Sequence, residues 1–440
     1  MLKAQPEINT LLIDTIIDPF GYKSNNSGNH IFLDFKEGLE MKFSTQTYIH
    51  IDSTIGRLIA LVIDCVARVL NAIRRTPTDI PEKPACILIS KFMGIGSIVQ
   101  AFPLFVGLRK QYPEARILLL TFKNNEGFTQ LISIIDKVYF IDKTTVLKLA
   151  VTTWKSIIQI KKEKPIISID LEVYSRFSRI ITFLIFAPYR LGFFLINTIA
   201  KKGMFTHLLY FNRFQHISSV YRNMALLTNV TDKYLHDTIQ HSNIIKLPVA
   251  GEQEAAAVIK NLGIKDKVII LVNINASDLC IERRWPTEYF QSVIRELLGK
   301  KDVVVILIGS LPEREYNQKC LDQISDIRDG RIHNIAGKTS FSCLLALLKK
   351  CNLFLTNDSG PMHLASLMNC PTVSLWGPGT PQSYAPKNAN HTVIYHSVYC
   401  SPCLYMLDEC PCRGDNKCMQ SITTKEVYKT CLEMLGEGIV

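Results

Sequence analysis

The sequence predicts an α/β protein: two Rossmann-like, doubly wound domains facing a cleft. Two observations predict it. Short apolar runs of strand formers alternate with helix-like stretches, as a parallel sheet with crossover connections requires. That alternation occurs twice, once from about residue 85 and again from about residue 250. The chain has 440 residues, 47% of them hydrophobic and 20% charged, which is enough for two or three buried cores.

Residues 1–82 read as an N-terminal extension. Within it, "GRLIALVIDCVARVLNAIRR" (56–75) forms a helix with an apolar face. Asp64 and Arg68 interrupt that run, so by length and charge it does not span a bilayer. Two readings stay open, a helix packed on the protein and an interfacial anchor. "PTDIPEKP" (77–84) is a linker, because its prolines block regular structure.

The first alternating series occupies residues 83–248. "ACILISK" is a buried parallel strand, followed by the glycine turn "FMGIGS" and the helix-like "IVQAFPLFVGLRKQYP". "ARILLLT", "KVYFID" and "PIISID" are further strands. The run at 179–196 is broken by Pro188 and Arg190 and reads as a buried helix, then a strand. The second series occupies residues 249–440. Its strands are "KVIILVN", "DVVVILIGS", "RIHNIAG", "NLFLTND" and "PTVSLWG". Ligands of such domains sit at the carboxyl ends of the strands.

The net charge of +11 suits a phosphorylated substrate or an anionic membrane surface. Lys and Arg are scattered, and no RNA-binding or zinc-finger signature is present, so nucleic acid is not an expected partner. A mean hydropathy of +0.13 hints at an apolar partner. The first 14 residues lack a basic start followed by an apolar core. The expected location is therefore cytoplasmic, with peripheral contact at the inner membrane as an option.

The most informative stretch is "TNDSGPMHLAS" (356–366). A strand stops on Asp358, and a helix starts at once. Ser359 suits the N-cap, Pro361 suits the first turn, and Gly360 lets a ligand approach the backbone. The unpaired N–H groups there favour phosphate. The alternative is a well-capped buried helix with an incidental His363. Three further loops aim at the same cleft: "ERRWP" (282–286) with Arg283 and Arg284, "LIGSLPE" (307–313) with Gly309, and "LWGPGTP" (375–381) with Gly377. Together they describe a nucleotide-diphosphate pocket.

"TNDSGPMHLASLMNCPTVSLWGP" resembles the signature of glycosyltransferase family nine, the heptosyltransferase-like enzymes. "ILISKFMGIGSIVQAFPLFVGLRKQYPEARI" resembles the family's opening strand, glycine loop and helix, and "RRWP" its basic-Trp-Pro motif. The resemblance covers roughly residues 85–435. It implies the GT-B architecture, a C-terminal domain binding a nucleotide sugar such as ADP-heptose, and an N-terminal domain binding a glycan or glycolipid acceptor such as lipopolysaccharide core. The expected donor-binding residues are Asp358, Ser359, Gly360, Met362, His363, Arg283, Ser277, Gly309 and Gly377. Gly96 and Arg176 are expected at the acceptor.

Inverting transfer needs a base for the acceptor proton and fixed positive groups for the departing diphosphate. No metal or other cofactor is required for transfer if those groups suffice. The family's glycine loop ends Gly-Asp, and that aspartate is its expected base. Here the position is Ser97, too weak a base unless another group activates it. The nearest replacements are Asp170 and Glu172, with Glu172 preferred. Alternate residues on an extended strand share a face, so both could point at the acceptor. They could instead cap the next helix.

Ser97 also motivates a rival, a catalytically inactive nucleotide-sugar binder. A dehydrogenase is disfavoured, because the dinucleotide glycine fingerprint is absent. A membrane-surface scaffold would leave the cleft motifs unexplained.

The chain has 13 cysteines, five of them between residues 400 and 418. Cys400, Cys403, Cys412 and Cys418 have tetrathiolate spacing, with zinc or iron as a structural ion. Free thiols and disulfides are the alternatives.

Overall fold

The structure is a computed structural model that describes residues 45–74, 79–195, 203–236, 244–276, 280–324, 330–404 and 410–436. It contains two six-stranded parallel sheets, each flanked by helices. Helices of six or more residues are labelled here in chain order.

Helix α1 (Thr45–Arg74) precedes the first sheet. Next come β1 (Cys86–Ser90), α2 (Ile95–Gln100), α3 (Phe102–Gln111), β2 (Arg116–Phe122), β3 (Lys137–Ile141), α4 (Val146–Lys162), β4 (Ile167–Asp170), α5 (Arg176–Ile185), β5 (Tyr189–Phe194), β6 (His207–Tyr210) and α6 (Ile217–Leu227). The strand order is β3-β2-β1-β4-β5-β6. Every residue of β1 is buried, because helices cover both faces of a parallel sheet. The run at 179–196 resolves as the sequence suggests, into the end of α5 and then β5.

The second unit contains α7 (Val249–Asn261), β7 (Val268–Asn273), α8 (Thr287–Leu298), β8 (Val303–Leu307), α9 (Arg314–Asp322), β9 (Ile332–Asn334), α10 (Phe341–Lys350), β10 (Leu353–Asn357), α11 (Gly360–Leu367), β11 (Thr372–Trp376), β12 (His391–Tyr395) and α12 (Thr424–Leu435). Its order is β12-β11-β10-β7-β8-β9, the same winding as the first sheet. The chain reverses direction across each sheet between β1 and β4 and between β7 and β10. The crevice at such a switch point is where doubly wound sheets bind ligands.

The residues that interrupt the apolar run of α1 dock it. Asp64 accepts a hydrogen bond from the Gly203 amide at 3.1 Å, and Asn71 donates to the Gly203 carbonyl at 2.6 Å and accepts from Arg190 at 2.9 Å. Ala60 and Ala67, on the same face, pack with Phe183 and Met204. The opposite face carries exposed Leu58, Leu61, Val62, Val69 and Ile73. Each of the two readings of this helix therefore has a face that suits it.

Nearer the start of the same helix, the Asp52 carboxylate accepts from the Arg176 and Phe177 amides at 2.8 and 2.6 Å, capping α5 from 124 residues away. The free amides of a helix start are satisfied here by a side chain from another helix. Asp52→Ala should lower stability by about 0.5–2 kcal/mol, the usual size of a lost cap. Chemical denaturation of variant and parent measures this, and an unchanged midpoint would show that the cap holds nothing.

Candidate active site

The ends of β7, β8 and β10 are fastened by buried asparagines. Asn273 Nδ2 donates to Thr356 Oγ1 at 3.2 Å and to Ser359 Oγ at 3.0 Å. Asn275 Nδ2 donates to Asn317 Oδ1 at 3.0 Å, and Asn317 Nδ2 to the Ile308 carbonyl at 3.0 Å. Asn357 Nδ2 donates to the Ile274 carbonyl at 3.0 Å, while its Oδ1 accepts from the Trp285 amide at 3.0 Å. Buried amides cost free energy unless they are hydrogen-bonded, so this network fixes one arrangement of the loops.

Ser359 occupies the N-cap position of α11, but its hydroxyl does not cap. It bonds Thr356 Oγ1 at 2.9 Å and accepts from Asn273. The first amides of α11 thus have no side-chain cap. A Cβ built on Gly360 would meet nothing within 4 Å, so the approach to those amides is open. An uncapped, open helix start attracts anions.

Arg283 and Asp358 stand beside it, both buried, with Arg283 Nη1 3.7 Å from Asp358 Oδ2. Burial pushes the Asp358 carboxyl above the usual range, with Arg283 pulling the other way. Gly379 makes room for this carboxylate, because a Cβ there would lie 2.7 Å from Asp358 Oδ2. Arg284 is engaged elsewhere. It donates to the Ala276 carbonyl at 3.0 Å and stacks over Tyr316 at 4.9 Å.

The first domain meets this junction through α2, which packs against α11. A Cβ on Gly96 would lie 2.5 Å from His363 Cδ2. Gly96 therefore serves the contact with His363 across the two domains, rather than an acceptor as expected. Gln100 Nε2 and His216 Nε2 extend the junction, to the Tyr384 and Ala385 carbonyls at 2.9 Å each.

At the β1 and β4 ends, Glu172 Oε1 accepts from Lys91 Nζ at 3.1 Å and from the Phe92 and Met93 amides at 2.7 and 2.9 Å. Among the described residues these bonds all fall on Oε1 and leave Oε2 open. Burial opposes the Lys91 ammonium, but the Glu172 carboxylate more than offsets this and holds it above the usual lysine range. Asp170 is fully buried, with Oδ1 accepting from the Glu172 amide at 2.9 Å and Oδ2 from Ser178 Oγ at 2.8 Å. This is the capping alternative, and it corrects the expectation of Asp170 as a base. Ser97 Oγ lies within hydrogen-bond reach of the Met93 and Gly94 carbonyls, with no basic group to activate it among the hydrogen bonds of the described residues.

Other expectations are corrected by packing. The Met362 side chain is fully buried with Trp376 and Ala385, so only its backbone amide is offered at the start of α11. A Cβ on Gly377 would collide with Met419 and Cys418, so this glycine serves close packing. At Gly309 a Cβ would press on Asn275 Nδ2 at 2.9 Å, so that glycine makes room for the asparagine network. The amides at the start of α5 are taken by Asp52, which also attracts the Arg176 charge, so that position is not an open acceptor site. Ser277 lies outside the described residues. Among the described residues, no three of the expected metal cysteines Cys400, Cys403, Cys412 and Cys418 bring their sulfurs within 4.8 Å of one another, although burial, with Cys412 and Cys400 nearby, pushes the Cys418 thiol up. Cys403 contacts Cys410 at 3.8 Å, Cys412 faces Asn416 at 3.8 Å, and Cys418 is buried in an apolar core.

Sequence reasoning missed Lys91, Gly379 and the asparagines. The available signals were a lysine ending an apolar strand and the polar alternation of "VNINAS".

Burial, with the nearby His391, His216 and Arg283 acting in the same sense, pushes His363 down to about 3 from its ordinary 6.5. The unfolded chain therefore takes up a proton below about pH 6.5 that the folded chain refuses, and stability falls as pH drops from there towards 3. His391, pushed to about 4 by burial, adds in the same direction. The fall in Tm between pH 7.5 and pH 5 should be smaller in His363→Gln than in the parent. Equal falls would show that His363 takes up its proton as readily in the folded chain as in the unfolded one.

Residues 203–413 match the model of glycosyltransferase family 9 (heptosyltransferase). Lipooligosaccharide heptosyltransferase 2 of Campylobacter jejuni is 23% identical over 343 residues, covering 78% of this chain and 95% of that protein. The crystal structure of a family 9 glycosyltransferase from Veillonella parvula superposes with a TM-score of 0.66 at 22% identity, covering 81% of this chain and 99% of that one. The ADP-heptose lipopolysaccharide heptosyltransferase II of E. coli gives a TM-score of 0.64 at 17% identity, covering 79% and 98%. Over these stretches the chain is similar to heptosyltransferases of glycosyltransferase family 9.

Proposed function

We propose that this glycosyltransferase moves a heptose from ADP-heptose to the core sugars of a lipopolysaccharide or lipooligosaccharide, with inversion at the anomeric carbon. Two named relatives, the C. jejuni and E. coli enzymes, support this donor and acceptor. The single observation that carries it is the open, uncapped start of α11 with Arg283 beside it at the switch point of the second sheet. On this reading residues 249–440 hold the donor and residues 83–248 the acceptor.

The α11 amides and Arg283 would bind the diphosphate and stabilise the charge that grows on it as the sugar leaves. Asp358 orients Arg283. Neutral His363 braces the donor helix against α2. These fixed positive groups need no added metal for the transfer step. Glu172 is proposed as the base that removes the acceptor proton through its open Oε2. An inactive binder rests on Ser97 alone, and Glu172 supplies what Ser97 lacks.

The test is release of ADP when the protein is mixed with ADP-heptose and a truncated lipopolysaccharide core. Glu172→Gln keeps an acceptor for the two amides. It should lower kcat by roughly 10²–10⁴-fold with little change in KM. Its thermal stability must be read alongside, because Lys91 loses its charge partner. A full rate in Glu172→Gln would place the base elsewhere, and no turnover in the parent would refute the transfer reading.

No helix among the described residues is long and apolar enough to cross a membrane. We propose instead that the protein rests on an anionic lipid surface through α1 and α4, which both pack on α5. Exposed Leu147, Val151, Trp154 and Ile158 form a stripe along α4, and Lys148, Lys155 and Lys162 lie on the same helix. An apolar stripe with basic residues nearby suits headgroups and acyl chains together. Trp154→Glu with Val62→Glu should abolish co-flotation with phosphatidylglycerol vesicles and leave ADP affinity unchanged. Absence of parent binding to these vesicles would refute the surface.

A further inference from the structure

Cys280 and Cys410, which the sequence spacing does not select, lie together. Cys280 Sγ is 4.0 Å from Cys410 Sγ and 3.4 Å from Glu282 Oε2. Cys410 Sγ is 3.8 Å from Cys403 Sγ. The ligand atoms of Cys280, Glu282 and Cys410 all lie within 4.8 Å of one another. Zinc–sulfur bonds of about 2.3 Å set tetrahedral sulfurs about 3.8 Å apart, and a sulfur–oxygen edge is about 3.5 Å. The Cys280–Cys410 and Cys280–Glu282 contacts match those edges.

We infer that Cys280, Cys410 and Glu282 hold a thiophilic metal ion of the zinc type. Cys280 is buried, and Glu282 and Cys410 are half-buried. The site joins segments 130 residues apart in the chain. It also anchors the turn Ile281–Arg283, because the Cys280 carbonyl accepts from Arg283 Nε at 3.4 Å. Metal binding would therefore hold Arg283 at the donor site. That second role rests on the proposed donor site, while the metal site itself does not.

The protein purified under reducing conditions should carry a single zinc ion per chain by elemental analysis. Cobalt(II) exchange into the unaltered protein should give a tetrahedral spectrum with charge-transfer intensity for two thiolates. Cys280→Ser and Cys410→Ser should each lose the metal, whereas Cys412→Ser and Cys418→Ser keep it. ADP affinity should fall severalfold in Cys280→Ser. Metal lost from Cys412→Ser or Cys418→Ser but kept in Cys280→Ser would overturn the assignment. So would four thiolates, a Cys280–Cys410 disulfide, or no metal. Metal bound as expected with unchanged ADP affinity in Cys280→Ser would overturn the anchoring role. Failure of the parent to bind ADP would count against the donor site and leave the metal result standing.

Discussion

The arrangement of the second domain depends on the buried asparagine clamp at the ends of β7, β8 and β10. Asn273, Asn275, Asn317 and Asn357 add side-chain bonds where the backbone ladders of these strands end. A buried amide has one well-satisfied orientation, so the clamp specifies position as well as adding stability. It occupies the Ser359 hydroxyl, and so leaves the start of α11 uncapped. It also holds the Trp285 amide, and with it the turn bearing Arg283. Both cationic elements of the site descend from this network.

The first domain answers with an ion pair. Lys91 and Glu172 are both about nine-tenths buried, and removing one partner of such a pair costs about 3–5 kcal/mol. Glu172 also receives two amides from the loop that leads to α2, so β4 sets the course of the loop after β1. The two domains present the same place in the same topology to each other, and Gly96 and His363 close the distance between them.

The strands were legible because a parallel sheet buried on both faces must be continuously apolar, and "ACILIS" or "DVVVIL" fits little else. The strand-to-helix junction at Asp358 was legible because capping and helix-start chemistry leave a local mark there. Glycines misled. Smallness is visible in a sequence, but its beneficiary is not: Gly96 admits His363, Gly309 the asparagines and Gly377 Met419. The roles of Asp52 and Cys280 depend on partners more than 100 residues away, and no local pattern encodes such pairs. Asp170 and Glu172 were rightly placed at a strand end, yet only their donors separate the locked carboxylate from the one with an open oxygen.

The central claim is that Arg283 and the start of α11 together recognise a diphosphate. Calorimetric titration of ADP and AMP into the parent protein and into Arg283→Ala tests it most directly. A charge-assisted hydrogen bond of about 1.5–3 kcal/mol predicts a loss of roughly 10- to 100-fold in ADP affinity, with AMP much less affected. Equal ADP affinity in the two proteins would contradict the account.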